Sequence, residues 1–322
     1  MHESPAFRQL SPDEILNAVE AGGYRCSGRI FALNSYENRV YEIGIEDEKP
    51  LIAKFYRPGR WTDEAILEEH RFTLDLAELE IPAIAPLSRD GRSLFQVADF
   101  RFALYPRVGG RTPELDNSEH LLQLGRNIAR IHNLGAVAPF THRPAIDIRS
   151  HAVEPSRFVL DSGFLPADLT EAYTSLVEDL IRRVERRFAD AGDYSQIRLH
   201  GDCHLGNILW QDDAPFFVDF DDSRTGPAVQ DLWMLLSGDR EYMTGRLYDI
   251  LDGYTEFREF NPRELHLVEA LRTLRMIHYA GWLARRWDDP AFPMAFPWFN
   301  TQRYWEDHIL SLREQAAMMD EP

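Results

Sequence analysis

Cysteine is scarce in this 322-residue chain, which contains only Cys26 and Cys203. Two thiols cannot build the disulfide framework that stabilises many small secreted domains. The first ten residues, MHESPAFRQL, also lack the basic and apolar segments of an export signal. We therefore expect both thiols to be reduced and the protein to be cytoplasmic.

Long apolar runs and an excess of positive charge are missing as well. No stretch reaches the roughly eighteen apolar residues that a membrane-spanning helix requires. The 53 acidic residues outnumber the 35 basic ones and give a formal net charge of −18. Sequence-independent binding to nucleic acid depends on cationic contacts to phosphate, which this balance disfavours. We expect no membrane partner, no nucleic-acid partner and a monomeric protein.

Hydrophobic residues make up 44% of the chain, which is enough for a large core and two lobes. In the N-terminal part, alternating apolar patterns predict strands, and a longer period predicts a helix. The predicted segments are strands 30–33, 39–43, 51–56, 93–97 and 101–105 and a helix over 62–78. This order predicts an antiparallel sheet accompanied by one long helix.

The most informative stretch covers residues 199–222, with the sequence LHGDCHLGNILWQDDAPFFVDFDD. Asp202 is followed by Asn207 and then by Asp219, which comes directly after the apolar run 216–218. One carboxylate can orient an attacking hydroxyl, while an amide and a second carboxylate hold magnesium against phosphates. The order of these residues predicts phosphoryl transfer from ATP.

A hairpin can bring two of these side chains together. Residues 208–210 and 216–218 read as short strands, and the polar segment 211–215 reads as the turn between them. Such a hairpin folds Asn207 and Asp219 towards each other at one end. We therefore predict that these two residues hold one magnesium ion.

The motif HGDCHLGNIL followed by FFVDFDD resembles the catalytic loop and metal strand of aminoglycoside and choline kinases, which are relatives of the protein kinases. Further segments resemble the bacterial stress response kinase A family of serine/threonine kinases. These segments are NSYENRVYEI (34–43), KFYRPGRW (54–61), ILEEH (66–70) and GPAVQDLWMLL (226–236). The resemblance covers nearly the whole chain.

This resemblance implies an α+β, bilobal, protein-kinase-like fold. Residues 1–106 would form the N-terminal nucleotide-binding lobe, with the antiparallel sheet and its long helix. Residues 107–322 would form a mainly helical lobe that carries the catalytic and substrate-binding residues. The implied cofactors are ATP and Mg²⁺.

The resemblance also implies roles for residues of the first lobe. Lys54 would bind the phosphates of ATP and pair with a glutamate of the following helix. We select Glu69, because it shares the apolar face of that helix, whereas Glu68 is expected to point to water. Ser35 and the backbone of the loop 33–38 would contact phosphate. That loop lacks a GxGxxG motif, and an ordinary polar hairpin is the alternative interpretation.

Asp202 would act as the catalytic base, and Asp219 would hold metal beside Asn207. Two extensions remain open. Asp221 could assist a second magnesium ion, and Asp219 could carry phosphate transiently as an acyl phosphate. We rank the acyl phosphate below simple metal binding, because a metal-bound carboxylate is a poorer nucleophile. In the same family Asp231 braces the catalytic loop.

Zinc binding is a competing interpretation of the HGDCH sequence, where His200, Asp202, Cys203 and His204 are adjacent. Such closely spaced ligands rarely wrap around one ion, and no second cluster of Cys and His follows. We favour a bracing role for His200 and a packing or capping role for His132.

The acceptor is less well defined than the reaction. The resemblance implies a serine or threonine of a protein, with autophosphorylation, in a bacterial stress response. A small hydroxyl compound such as a choline, homoserine or an aminoglycoside is the alternative substrate. A nucleotide-binding scaffold without catalysis is the non-enzyme alternative.

Overall fold

The structure is a computed structural model that describes residues 7, 10–238 and 240–320. Of the first ten residues only Phe7 and Leu10 are described, so the predicted lack of an export signal falls mostly outside the described residues. Among the described residues, no helix combines the length and the apolar character needed to cross a bilayer.

The strands of the described residues are numbered in chain order. They are β1 (Cys26–Ala32), β2 (Arg39–Ile45), β3 (Leu51–Phe55), β4 (Phe95–Val97), β5 (Phe100–Pro106), β6 (Ile197–Leu199), β7 (Ile208–Gln211), β8 (Ala214–Phe217) and β9 (Arg224–Gly226).

The α-helices are numbered in the same way. They are α1 (Pro12–Ala21), α2 (Asp63–Glu78), α3 (Ser118–Gly135), α4 (Glu154–Ser162), α5 (Thr170–Ala191), α6 (Val229–Trp233), α7 (Arg240–Thr255), α8 (Val268–Arg286), α9 (Ala291–Ala295) and α10 (Gln302–Asp320).

The N-terminal strands form one antiparallel sheet in the order β1-β2-β3-β5-β4. The prediction of five strands and a long helix is confirmed, as is the α+β class. The first strand begins earlier than the predicted residue 30, because a bulge between Cys26 and Ile30 interrupts the regular alternation. β3 lies in the middle of the sheet, where Lys54 is opposite Val40 on one side and Ala103 on the other.

Local capping explains where the first two helices begin. The Ser11 hydroxyl accepts a hydrogen bond from the Glu14 backbone N–H at 3.3 Å, and the Glu14 carboxylate accepts one from the Ser11 N–H at 2.7 Å. This reciprocal capping box starts α1. The Thr62 hydroxyl accepts from the Ala65 N–H in the same manner and starts α2.

The chain divides into two compact units. The first, called the site unit, contains the described residues of 7–144 and 196–260, including the whole sheet. The second, called the helical unit, contains residues 145–195 and 261–320, with α4, α5, α8, α9 and α10. Every residue predicted to carry chemistry falls in the site unit. The predicted lobe boundary after residue 106 stays a prediction.

The core of the site unit depends on a very close approach of α3 and α7. A Cβ atom at Gly253 would lie 2.1 Å from the Leu122 carbonyl oxygen, and one at Gly125 would lie 2.0 Å from the Ile250 carbonyl oxygen. Both oxygens belong to helix backbones, which cannot move aside as a flexible side chain could. The two helices therefore pack at this distance because glycine occupies both positions.

We expect Gly253→Ala to lower the free energy of unfolding by about 2 kcal/mol, because the added methyl group forces α3 and α7 apart. Gly245→Ala is the matched control, since Gly245 is exposed in the same helix and has open space around its Cβ position. That control should be neutral or slightly stabilising, because alanine favours helix. Urea denaturation measures both, and equal stability of the two variants would contradict this packing.

Candidate active site

The predicted hairpin is formed by β7 and β8. Its turn is shorter than predicted and consists of Asp212 and Asp213, which both have positive φ angles, 49° and 60°. Aspartate tolerates this left-handed conformation, which two-residue hairpin turns require. Pro215, which we had assigned to the turn, is instead paired with Trp210 in the strands. A proline is tolerated there because this ribbon has only two strands.

The hairpin brings Asn207 and Asp219 to the same end, as predicted. Ile208 is opposite Phe217, and the Val218 N–H donates to the Asn207 carbonyl oxygen at 3.0 Å. Asp219 follows directly. It adopts a left-handed conformation with φ 58° and ψ 65°, which aspartate tolerates better than most residues other than glycine.

The side chains of Asn207 and Asp219 offer oxygen atoms that suit a hard divalent cation. The Asn207 Nδ2 donates to the Asp202 carbonyl oxygen at 3.0 Å, so its Oδ1 is turned away and has no partner among the described residues. The Asp219 side chain is 52% exposed, and within the described part of the chain only its Oδ1 is engaged, at 2.7 Å from Lys54 Nζ. Carboxylate and amide oxygens are typical magnesium ligands, so this donor set fits the predicted ion.

Asp202 lies beside this pair on the loop that precedes β7. Its Oδ2 is 3.5 Å from Asn207 Nδ2 and 3.4 Å from His204 Nε2. The His204 Nδ1 accepts a hydrogen bond from the Gly206 N–H at 2.9 Å. A neutral His204 must then carry its proton on Nε2, which faces the Asp202 carboxylate. Asp202 thus remains an accessible carboxylate with a fixed orientation.

Asp231 holds the backbone of the catalytic loop. Its carboxylate accepts from the His200 N–H at 2.8 Å and from the Gly201 N–H at 2.9 Å. His132 Nε2 lies 3.1 Å from the same carboxylate, and His132 Nδ1 lies 2.9 Å from the Tyr254 hydroxyl. The Asp231 and His132 side chains are both completely buried. The bracing role implied for Asp231 and the packing role favoured for His132 agree with these contacts.

His200 links the catalytic loop to the metal strand. Its Nε2 donates to the Val218 carbonyl oxygen at 2.9 Å, and its Nδ1 accepts from the Asp202 N–H at 3.3 Å. A single imidazole therefore fixes the backbone just before Asp219 and the backbone of Asp202. These contacts give His200 the expected bracing role.

The predicted direct ion pair between Lys54 and Glu69 is not formed. Lys54 Nζ lies 2.7 Å from Asp219 Oδ1 and 3.4 Å from Asp221 Oδ1. Burial would lower the pKa of Lys54, but these two carboxylates outweigh it and hold the pKa above its ordinary value. Glu69 lies instead 3.6 Å from Arg143 Nη2. Several acids compete for one ammonium group, and the two after β8 are closer.

Helical phase correctly placed Glu69 inside and incorrectly placed Glu68 in water. Glu69 is 1% exposed. The half-buried Glu68 carboxylate accepts hydrogen bonds from three successive backbone N–H groups, those of residues 141–143, at 2.6, 2.8 and 2.9 Å. The partner is a loop more than seventy residues away, so the pattern within the helix could not reveal it.

The loop 33–38 connects β1 and β2, as predicted. The Ser35 hydroxyl donates to the Asn38 carbonyl oxygen at 3.3 Å, which closes the loop on itself. Three further residues close to the site were not predicted, namely Asn38, Arg60 and Arg143. No local pattern marks them, because their partners lie far away in the chain.

Comparison with known proteins identifies the family. The model of the "Phosphotransferase enzyme family" matches residues 30–268. The chain belongs to this phosphotransferase family. It is 44% identical over 98% of its length, and 95% of the relative's, to "Stress response kinase A" of Escherichia coli strain K12. It is 41% identical, with the same coverage, to "Serine/threonine protein kinase RdoA" of Salmonella typhimurium. The suspected resemblance is confirmed, and the chain is a kinase.

Solved structures show the same fold at low sequence identity. An amicoumacin kinase, solved "in complex with AMP-PNP, Ca2+ and Ami", has a TM-score of 0.70 at 20% identity, covering 92% of this chain and 93% of that one. A "microcompartment-associated aminopropanol kinase" has a TM-score of 0.68 at 19% identity, covering 94% and 95%. The kinase-like fold class predicted for this phosphotransferase is therefore confirmed.

Glu69 makes the stability of this phosphotransferase depend on pH. Burial raises the pKa of Glu69 from 4.5 to about 7, and the attraction of Lys54 and Arg143 offsets this only in part. The folded state then holds the proton more tightly than the unfolded state. This contribution favours folding at low pH and is lost as the pH rises from 4.5 to about 7.

We expect Glu69→Gln to abolish the loss of stability that Glu69 causes as the pH rises from 4.5 to about 7. Without nucleotide, its free energy of unfolding should exceed that of the wild type by about 3 kcal/mol at pH 8 and match it near pH 4.5. Glu78→Gln, at an exposed position of the same helix, should keep the wild-type pH dependence. Urea denaturation across this pH range measures all three proteins, and parallel curves for Glu69→Gln and wild type would contradict the assignment.

Proposed function

We propose that this kinase is an ATP- and magnesium-dependent serine/threonine protein kinase that phosphorylates itself and acts in a bacterial stress response. The observation that carries the reaction is the grouping of Asp202, Asn207 and Asp219 at one end of a hairpin, beside the buried Lys54. The acceptor and the cellular role are supported by the names of relatives that are 41% and 44% identical over nearly the whole chain.

Each residue has a defined task in the proposed reaction. Lys54 and the loop that contains Ser35 would hold the phosphates of ATP, and the buried Glu69 would add negative charge near Lys54. Asn207 and Asp219 hold Mg²⁺, which when bound neutralises charge on the phosphate oxygens. Asp202 accepts a hydrogen bond from the acceptor hydroxyl and takes its proton as the new oxygen–phosphorus bond forms. The bond between the γ-phosphorus and the bridging oxygen of ATP breaks, and ADP leaves. Because the proton moves late in a loose transition state, orientation matters more than basicity.

An acceptor panel tests the proposal. The protein is incubated with γ-labelled ATP and magnesium, alone, with a generic basic protein, or with small alcohols that include choline and homoserine. The proposal predicts label on serine or threonine of the protein itself. Label found only on a small alcohol would show that the acceptor is a small molecule. Nucleotide binding without any transfer would indicate a scaffold. Cytoplasmic location and a monomeric state remain predictions.

A further inference from the structure

The carboxylate of Asp221, two residues after Asp219, lies at the centre of a buried network. Its side chain is 4% exposed. The Oδ2 atom accepts from Asn38 Nδ2 at 3.0 Å and from Arg60 Nη1, and Oδ1 lies 3.4 Å from Lys54 Nζ. The Asp221 carboxylate is therefore held inside the protein by groups from separate segments of the chain.

Asn38 connects this carboxylate to the loop 33–38. The side chain is 3% exposed, and both of its polar atoms are engaged. Its Nδ2 donates to Asp221, and its Oδ1 accepts from the Arg57 backbone N–H at 3.1 Å, just beyond the end of β3. The last residue of the loop is thus bonded both to the segment that follows β3 and to the segment that follows β8.

Arg60 contributes a positive charge to the network in addition to that of Lys54. Its Nη1 contacts Asp221, its Nη2 donates to Asp222 Oδ1 at 2.8 Å, and its Nε lies 3.8 Å from Glu37 Oε1. The Arg60 side chain is only 15% exposed, which would be costly for an unpaired charge, so the acids around it stabilise it there. Glu37 belongs to the loop 33–38, so Arg60 reaches the loop and the metal strand together.

We propose that Asn38, Arg60 and Asp221 form a clamp, called the loop clamp, that positions the loop 33–38 next to Asp219. Asp221 is then a positioning residue rather than a ligand of a second magnesium ion. The clamp rests on the proposed function, because it prepares the loop for the phosphates of ATP. The Oδ2 atom of Asp221 already accepts hydrogen bonds from two donors. A cation at Asp221 Oδ1 would compete with the Lys54 ammonium.

The loop clamp explains how this loop can work without a GxGxxG motif. In place of a glycine-rich backbone that wraps around phosphate, side-chain contacts fix the loop before nucleotide arrives. A loop that is already ordered loses less conformational freedom when it binds a ligand, which favours affinity. The clamp therefore predicts an ordered loop in the nucleotide-free protein.

An exchange of side chains tests the clamp. Asn38→Asp places two carboxylates against each other, and Asp221→Asn removes the central charge. The double variant Asn38→Asp with Asp221→Asn restores one amide–carboxylate hydrogen bond and the original net charge. Arg126→Gln is the control, because Arg126 makes a bidentate ion pair with Glu256 on the surface, at 2.8 Å for each contact. If Asn38→Asp fails to fold, Asn38→Ala removes the same hydrogen bond.

Hydrogen exchange of the backbone amides of residues 33–38, without nucleotide, measures the clamp directly. We expect the exchange rate of these amides to increase about tenfold in each single variant. In the double variant the rate should return most of the way to the wild-type value. Arg126→Gln should exchange like the wild type. Unchanged exchange in Asn38→Asp, or no recovery in the double variant, would overturn the clamp.

Calorimetric titration with a non-hydrolysable ATP analogue and magnesium separates the clamp from the proposed function. We expect each single variant to bind about tenfold more weakly and the double variant to recover part of the affinity. If Asp221 were a magnesium ligand, Asp221→Asn would raise the magnesium concentration needed for nucleotide binding. The double variant still lacks that carboxylate, so its nucleotide affinity would not recover. A wild type that binds no nucleotide, with loop exchange responding as expected, would refute the proposed function and leave the clamp standing.

Discussion

Asp202→Asn lowers the turnover number for phosphoryl transfer about a thousandfold and leaves nucleotide affinity within about twofold of the wild type. The amide has the shape of the carboxylate and can keep the contacts of Asp202 with Asn207 and His204. It cannot take the proton of the acceptor hydroxyl, and it orients that hydroxyl poorly. Since Asp202 is not among the proposed metal or phosphate contacts, binding survives.

Steady-state kinetics and calorimetry with a non-hydrolysable ATP analogue measure these two quantities separately. Asp212→Asn is the matched control, because it makes the same chemical change in the exposed turn of the hairpin, where asparagine also tolerates the φ of 49°. The control should turn over like the wild type. Equal turnover of Asp202→Asn and Asp212→Asn would remove Asp202 from the catalytic machinery.

Asp219→Asn reduces kcat/KM on the order of a thousandfold for a different reason. Asparagine tolerates the left-handed backbone of this position, so the loop keeps its shape. The substitution removes the negative charge that the metal requires, and it also removes the carboxylate 2.7 Å from the Lys54 ammonium. The variant should therefore need more magnesium and bind the magnesium–nucleotide complex more weakly, unlike Asp202→Asn.

A titration of activity against magnesium distinguishes the two variants. A magnesium requirement that Asp219→Asn leaves unchanged would contradict the metal-binding role. The alternative, a transient acyl phosphate on Asp219, is tested in the wild type by hydroxylamine, which cleaves acyl phosphates and leaves serine and threonine phosphates intact. We expect hydroxylamine to release no label from the protein. Release of label from Asp219 would favour the acyl phosphate over simple metal binding.

The parts of the fold that the sequence predicted well are those with local physical causes. The apolar stripe of α2 is a pattern within one short segment, and this helix begins one residue after the predicted start at residue 62 and ends at the predicted residue 78. The convergence of Asn207 and Asp219 was also predictable, because a hairpin necessarily returns the chain to its starting point. β1 was less predictable, because its bulge breaks the alternation that reveals a strand.

The electrostatic network of the site could not be predicted, because its partners are far apart in the chain. Asn38 and Asp221 are separated by 183 residues, and Arg60 and Asp221 by 161. The choice of partner for Lys54 failed for the same reason. Helical phase showed that Glu69 is buried, but only tertiary distances show that Asp219 and Asp221 are nearer to the ammonium group.

The most direct test of the central claim follows the γ-phosphate of labelled ATP in the presence of magnesium, whatever the acceptor. Wild type and Asp202→Asn are compared at equal nucleotide occupancy, which calorimetry establishes beforehand. We expect the wild type to transfer label from ATP and Asp202→Asn, with nucleotide bound equally well, to transfer about a thousandfold less. Equal loss of label from ATP in the two proteins would contradict this expectation.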